Sequence, residues 1–434
     1  MKKLNPYILG AFAVAILLIS TGCKKEFKNP NAATEEETFS NDRAATAVAM
    51  GLQRQYATTA ASPLYALVNA NGFVTNELIL RNAGNIPELQ LFTGGSAVDA
   101  TNTVLANIWT RSSKIIYDAN NVIAYANGLT DKSYASGLIS FASIFKALSI
   151  GNMSMLWEQV PDTVGQNVSF ISRMDGYRKA VDVLNRAIAA YTANPPNAQV
   201  LSRLSSDIDI LNTLHALKAR YALFAGDYTT ALAAANMVDL TKKSVFSYDA
   251  INQNPVFESA TATNNVFQPI DSSLGLPDAL EPNLADKRIP FYIGINTSIA
   301  PRYRIRGFYA TGTTQIPLYL PGEMMLIKAE AYARMSPPNL TAALTELNRV
   351  ITKKPSEDIY GVGADLPPLT GLLTQEQLLT EIYRQRSIEL FMSGLRLEDM
   401  RRFGRPLSER KRNFFPYPFQ ERDNNPNTPP DPAG

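Results

Sequence analysis

Residues 207–240 read DIDILNTLHALKARYALFAGDYTTALAAANMVDL, two helical runs hinged at Gly226-Asp227-Tyr228. Leu211, Leu214, Leu217, Lys218, Tyr221 and Ala222 recur at the spacing of one helix face, and Ala231, Leu232, Ala235 and Val238 repeat it after the turn. Ala219 and Ala231 place small side chains where the two helices would cross. Gly226 can take the left-handed conformation that ends the first helix, and Asp227 offers an N-cap oxygen to the second. A single helical hairpin cannot bury its own apolar face, so neighbouring pairs are expected to stack on it.

The spacing resembles one tetratricopeptide unit of about 34 residues. Further helical patterning runs from Asn41 through Tyr56, over Trp109, Tyr117 and Asn120-Asn121, from Gly137 to Asn152 and from Tyr177 to Tyr191. Residues 322–351 repeat the hairpin logic, with Met325, Ala329 and Tyr332 on one face and Ala343, Leu347 and Val350 on the next. The last helical region, 374–403, opens on a capping signature, Thr374 with Gln377. Gly84, Pro87, Gly94 and Gly95 mark 82–103 as a long loop, the kind that often carries function.

The first 23 residues, MKKLNPYILGAFAVAILLISTGC, place Lys2 and Lys3 before an apolar run from Tyr7 to Ile19. That run is shorter than the roughly 20 residues of a spanning helix and suits a cleaved export signal. Ser20-Thr21-Gly22-Cys23 resembles a bacterial lipobox, and Cys23 is the only cysteine in the chain, so its thiol is expected to carry lipid rather than a disulfide. Each buried acyl methylene would contribute roughly 0.8 kcal/mol to membrane attachment. No second apolar run of spanning length is expected. The chain should divide into a signal peptide, 1–22, a flexible tether, 23–42, a helical domain, 43–427, with an irregular insertion at 244–319, and a tail, 428–434.

Composition excludes several functions. A net charge of +2 with no basic run interleaved with aromatics argues against nucleic-acid binding. One His and one lipid-bearing Cys exclude a His/Cys metal site. His215 lies on the apolar hairpin helix as a core histidine with its polar atoms satisfied. Asp278 with Glu281, and Asp207 with Asp209, are close in sequence, which is not the opposed pair that glycoside hydrolysis needs. Arg386 with Glu389 and Arg396 with Asp399 are spaced as i, i+3 ion pairs holding the last helix in the fold. No catalytic residue, cofactor or metal is expected.

The order of these landmarks resembles the SusD/RagB family of outer-membrane nutrient-binding lipoproteins of the Bacteroidota. The matching residues are Cys23, Trp109…Tyr117…Asn120-Asn121, Leu156-Trp157…Val160-Pro161, Gly226-Asp227-Tyr228…Ala231, and Leu320-Pro321-Gly322-Glu323…Ala329-Glu330-Ala331. They continue with Arg384…Arg386…Glu389-Leu390…Gly394-Leu395-Arg396…Asp399-Met400-Arg401-Arg402 and Asn413-Phe414-Phe415-Pro416. The Gly that relatives carry after position 156 is absent, and the chain ends in TPPDPAG. The resemblance implies a mainly α fold, a right-handed superhelix of four tetratricopeptide-like pairs wrapped by a loop-rich, ligand-presenting segment. It also implies a non-enzymatic lipoprotein at the cell exterior that serves a SusC-like TonB-dependent transporter. The ligand would be an oligosaccharide; the alternatives are a peptide, as for RagB-type lids, or a scaffold that binds only protein.

Within 244–319 the rings of Phe246, Tyr248, Phe257, Phe267, Phe291, Tyr292, Tyr303, Phe308 and Tyr309 lie among Asn and Pro, with Asn264 and Asn265 nearby. Sugars stack flat C–H faces on rings and pair hydroxyls with Asn and Arg. Tyr303, Arg304, Arg306, Phe308 and Tyr309 combine both chemistries, with Phe92 in the earlier loop as a further candidate.

Overall fold

Short polar side chains set where the helices begin. The computed structural model describes residues 39, 41–262, 265–298, 300 and 302–433. Cys23, the export signal, most of the tether and Asn264 lie outside them. The chain forms two compact units, Met1–Ala44 and Ala45–Gly434, and the stacked helices and the insertion belong to the second. In chain order the principal elements are α1 (Asp42–Ala57), α2 (Pro63–Val74), β1 (Leu78–Leu80), α3 (Ile86–Thr93), α4 (Thr103–Asn127), α5 (Lys132–Leu156), β2 (Gln159–Pro161), β3 (Phe170–Ser172) and α6 (Arg173–Ala193). They continue with α7 (Ile210–Phe224), α8 (Tyr228–Asn236), β4 (Val245–Phe246), β5 (Phe267–Pro269), β6 (Ile293–Ile295), β7 (Tyr303–Ile305), β8 (Ile316–Pro317), α9 (Pro321–Arg334), α10 (Leu340–Thr352), α11 (Gln375–Glu389), α12 (Arg396–Arg402) and α13 (Phe419–Asn424).

Asn102, Asp131, Ser172, Asp209, Asp227 and Asn339 each accept a hydrogen bond from the third residue on, capping α4, α5, α6, α7, α8 and α10. Thr374 and Gln377 form the expected reciprocal box at α11. Gly226 takes φ +77° between α7 and α8, and Ala219 and Ala231 are fully buried, as the hairpin reading requires. Each helix then packs on the next, from α4 on α5 through α9 on α10, and α11 closes against both α9 and α10. The stack is tight at Gly151, where an added Cβ would stand 2.2 Å from the Tyr221 ring.

Three expectations are corrected by the structure. Residues 82–103 hold α3 rather than an unbroken loop: Asn85 precedes it, Pro87 sits in its first turn, and Gly94 at φ +75° ends it. Helix α5 is long and apolar enough to cross a membrane, but 89% of its apolar window is buried, which makes it the core helix of the stack. Residues 428–433 fold back: the Asp431 carboxylate accepts from Tyr417 N at 2.8 Å and from Arg422 at 2.6 Å.

The insertion is stapled at both ends, because β4 pairs antiparallel with β8, Val245 opposite Pro317. Within it β5 pairs with β1, Leu80 opposite Phe267, and β6 with β7, Ile295 opposite Tyr303. Buried Gln268 joins the two small sheets. Its amide donates to Ala260 O at 2.7 Å and Asn265 Oδ1 at 2.8 Å, and its carbonyl accepts from Ile305 N at 2.9 Å.

Buried charge ties the insertion to the helices, with partners other than those the sequence spacing suggested. Arg386 Nε donates to Asp399 at 2.9 Å. Glu389 instead accepts from Arg288 at 3.0 Å and Lys353 at 2.7 Å, while Arg396 lies 3.6 Å from Glu77. The i, i+3 pairing is therefore wrong, because these side chains are sealed in the core and close on whichever opposite charge is sealed with them. Gly322 makes room for Glu389, whose Oε1 would lie 1.9 Å from a Cβ there.

Candidate ligand-binding surface

The aromatic residues of the insertion divide by burial. Phe246, Phe267, Tyr292 and Tyr309 are buried, and Tyr248, Phe257, Phe291, Tyr303 and Phe308 are half-buried. Tyr309 is 3% exposed and its hydroxyl donates to Met392 O at 2.7 Å. Tyr292 does the same for Glu389 O at 2.6 Å. Both rings thus cap carbonyls at or just beyond the C-terminal end of α11, groups with no partner inside the helix. Burial holds both hydroxyls well above the ordinary phenol range. Tyr309 is therefore corrected from ligand contact to structural pin.

Phe308 meets Phe291, Tyr292 and Tyr360 with centroids 5.3–6.1 Å apart, all near edge-to-face, which occupies its ring. Phe92 is also spoken for: Phe73 meets it edge-on at 6.1 Å, and Lys411 Nζ stands 3.9 Å from its centroid, over the face a sugar would need.

Three candidates stay together on the β6–β7 hairpin. Tyr303 is half-buried, with Arg302 5.8 Å from its ring centroid and Ser272 Oγ 3.5 Å from its hydroxyl. Strand alternation turns Arg304 to the opposite face, where it donates to Asn265 Oδ1 at 3.3 Å and Ala300 O at 3.4 Å. Arg306 is exposed, and its stem lies across Gly294, where a Cβ would come within 2.8 Å of Arg306 Cδ. Arg81, at the end of β1, reaches the same Ala300 carbonyl at 3.2 Å. Sequence reading missed Arg81 and Ser272, which carry no local signal and join the surface only through the β1–β5 pairing. The hairpin offers one partly open ring with Arg302 and Ser272 beside it and, on its other face, Arg304 with Asn265 and Arg81 about the Ala300 carbonyl, groups suited to binding polar, hydroxyl-rich or anionic ligands.

His215 is buried with Nδ1 unpaired, against the expectation of a satisfied side chain, and burial followed by the Lys218 charge lowers its pKa. Trp109 is a core residue: its indole donates to Glu421 at 2.9 Å and its ring meets Trp157 at 4.8 Å. Among the described residues no group of three or more His, Cys, Asp or Glu is placed to hold a metal.

Comparison with known proteins adds a family to this geometry. Residues 296–430, which include β7 and the α11–α12 charge cluster, match the family model for the SusD family. The fold is similar to the crystal structure of a SusD homolog from Bacteroides thetaiotaomicron, at 14% identity over 92% of this chain and 99% of that one, TM-score 0.73. It is also similar to a SusD superfamily protein from Parabacteroides distasonis, at 15% identity over 91% and 98%, TM-score 0.67. A third is described as a SusD-like carbohydrate binding protein from Bacteroides fragilis, at 15% identity over 90% and 100%, TM-score 0.66. No curated protein matches the sequence.

Proposed function

We propose that this chain, which belongs to the SusD/RagB family, captures oligosaccharide at the cell exterior as a lipid-anchored partner of a SusC-like TonB-dependent transporter. The observation that carries the reading is the β6–β7 hairpin, which holds the partly open Tyr303 ring with Arg302 5.8 Å from its centroid and carries Arg304, with Arg81 and Asn265, on its other face. The ring stacks on a pyranose face while Arg302 and Ser272 beside it take its hydroxyls. The stacked helices hold that hairpin still, since Tyr292, Tyr309 and Arg288 fasten the insertion to α11. A receptor that hands ligand to a transporter works best with weak affinity, micromolar to millimolar, about −4 to −8 kcal/mol. Cys23 is the lipidation site in this reading, and the protein is not an enzyme.

A glycan array with the purified protein tests it. Tyr303→Ala should weaken the preferred glycan by about tenfold, roughly 1.4 kcal/mol. Tyr309→Phe should leave glycan binding unchanged while lowering thermal stability, because it removes only the hydroxyl that caps Met392. Equal loss of binding in both variants would show that the surface has been misplaced. Release of product from any glycan would refute the non-enzymatic reading. Peptide spots on the same array address the RagB-like alternative, favoured by the outer edge of β6, which among the described residues pairs only with β7.

A further inference from the structure

A cavity of about 160 Å³ lies between α4 and α5 beside the β2–β3 loop. Its volume is close to that of an engineered apolar cavity, about 150 Å³, that takes benzene. Ile116, Ile150 and Met153 line it from the helices and Val160, Val164 and Val168 from the loop.

The polar part of the lining is unusual. Ser113 and Asn120 of α4 and Lys146 of α5 border the cavity, and among the described residues none of their side chains has a hydrogen-bond or ion-pair partner. The other charged groups at the cavity are already engaged. Lys179 of α6 donates to Asp162 of the loop at 2.8 Å, and Glu421 of α13 accepts from Trp109 and Asn425, each at 2.9 Å. Lys146 is partly buried, and its pKa is pushed down to about 8, first by burial and then by the like charges of Arg186 and Lys179.

A half-buried ammonium with no counter-charge of its own favours an anion beside it, and the apolar walls give the body of that anion a surface to cover. We propose that this cavity is a binding site for a small carboxylate with a ring-sized body. The carboxylate pairs with Lys146 and accepts from Ser113 and Asn120, and the ring lies against the isoleucines, valines and Met153. The site is distinct from the β6–β7 hairpin and does not depend on glycan capture there.

Calorimetric titration of the full chain in detergent with sodium benzoate is the test, with benzamide as the neutral isostere and glucuronate as the sugar-acid arm. Benzoate should bind near pH 7, and benzamide at least about tenfold more weakly. Lys146→Met should abolish binding without lowering the melting temperature, because it removes an unpaired charge and keeps the chain length. Ser113→Phe, which fills the cavity and leaves Lys146 intact, should also block binding, while Tyr303→Ala should not affect it. Binding should fade as pH rises through about 8, as the ammonium is lost. Glucuronate binding that Lys146→Met abolishes would support the site with a sugar acid as its source. Benzamide binding as tightly as benzoate, unchanged binding in Lys146→Met, or no binding of either acid would overturn the proposal.

Discussion

Replacing Arg288 with Met tests whether buried charge holds the ligand-presenting insertion on the helices. Arg288 is fully buried. It grips Asp286 with two bonds, at 3.0 and 2.6 Å, and also donates to Glu389 and Gln385. Glu389 and Asp358 share Lys353, each at 2.7 Å. The cluster therefore holds two cations and three carboxylates, a formal charge of −1, and losing Arg288 leaves −2 with Lys353 as the sole cation. Removing one partner from a buried pair costs about 3–5 kcal/mol, a large part of the roughly 5–15 kcal/mol that keeps a domain folded. At an m-value of about 3 kcal/mol/M, the urea midpoint should fall by about 1 M or more. Adding Asp286→Leu returns the cluster to −1, so the double variant should regain stability relative to Arg288→Met, with a coupling energy of up to about 3 kcal/mol. Limited proteolysis of the single variant should cut first within the insertion, the part its loss sets free. A single variant within about 1 kcal/mol of wild type, or a double variant equal to the sum of the singles, would refute the reasoning.

Two other outcomes are expected. Gly322→Ala, in the first turn of α9, should destabilise, because its Cβ would meet a carboxylate that Arg288 and Lys353 hold in place; thermal melts read the sign. Stability should rise with pH above about 8, because Lys146 and Lys411 have folded pKa values of about 8 against 10.5 unfolded, so the unfolded chain binds more protons. It should fall above about pH 10, where unfolded tyrosines ionise while Tyr56, Tyr360 and Tyr417, raised to about 12 chiefly by burial, stay neutral. Melting temperature against pH should therefore peak between these limits, and Lys146→Met with Lys411→Met should remove the rise and keep the fall.

The helical frame is legible in the sequence because its signals are local. Asp227 caps the residues beside it, Gly226 turns where a left-handed residue is needed, and the apolar period marks which face is buried. Helix α3 escapes a sequence reading although its signals are present: Pro87 and Gly94 look like breakers, yet one sits in its first turn and the other ends it. The charge pairs fail for a different reason. Spacing of i, i+3 ranks partners by distance along a surface helix, whereas Arg386, Glu389 and Arg396 are buried, and a buried charge pairs with whatever the tertiary fold brings to it.

The same distinction explains why ring-rich sequence is a poor guide to the ligand surface. An irregular segment of 76 residues, 244–319, has few helix or sheet bonds of its own, so it needs apolar pins where it meets the frame. Aromatic side chains with a hydroxyl serve that need best, because one group both fills space and caps a stray carbonyl, as Tyr292 and Tyr309 do on α11. Many of the motifs that carry the family resemblance are pins of this kind. Trp157 donates to Pro416 O at 2.9 Å, joining the 156–161 loop to the 413–416 motif, and Glu323 pairs with Arg220 of the hairpin helix at 2.6 Å. Such motifs identify the frame and therefore the fold. A ring that faces ligand must be one the frame does not use, and among the five residues named on 303–309 the hairpin leaves one ring in that position, Tyr303.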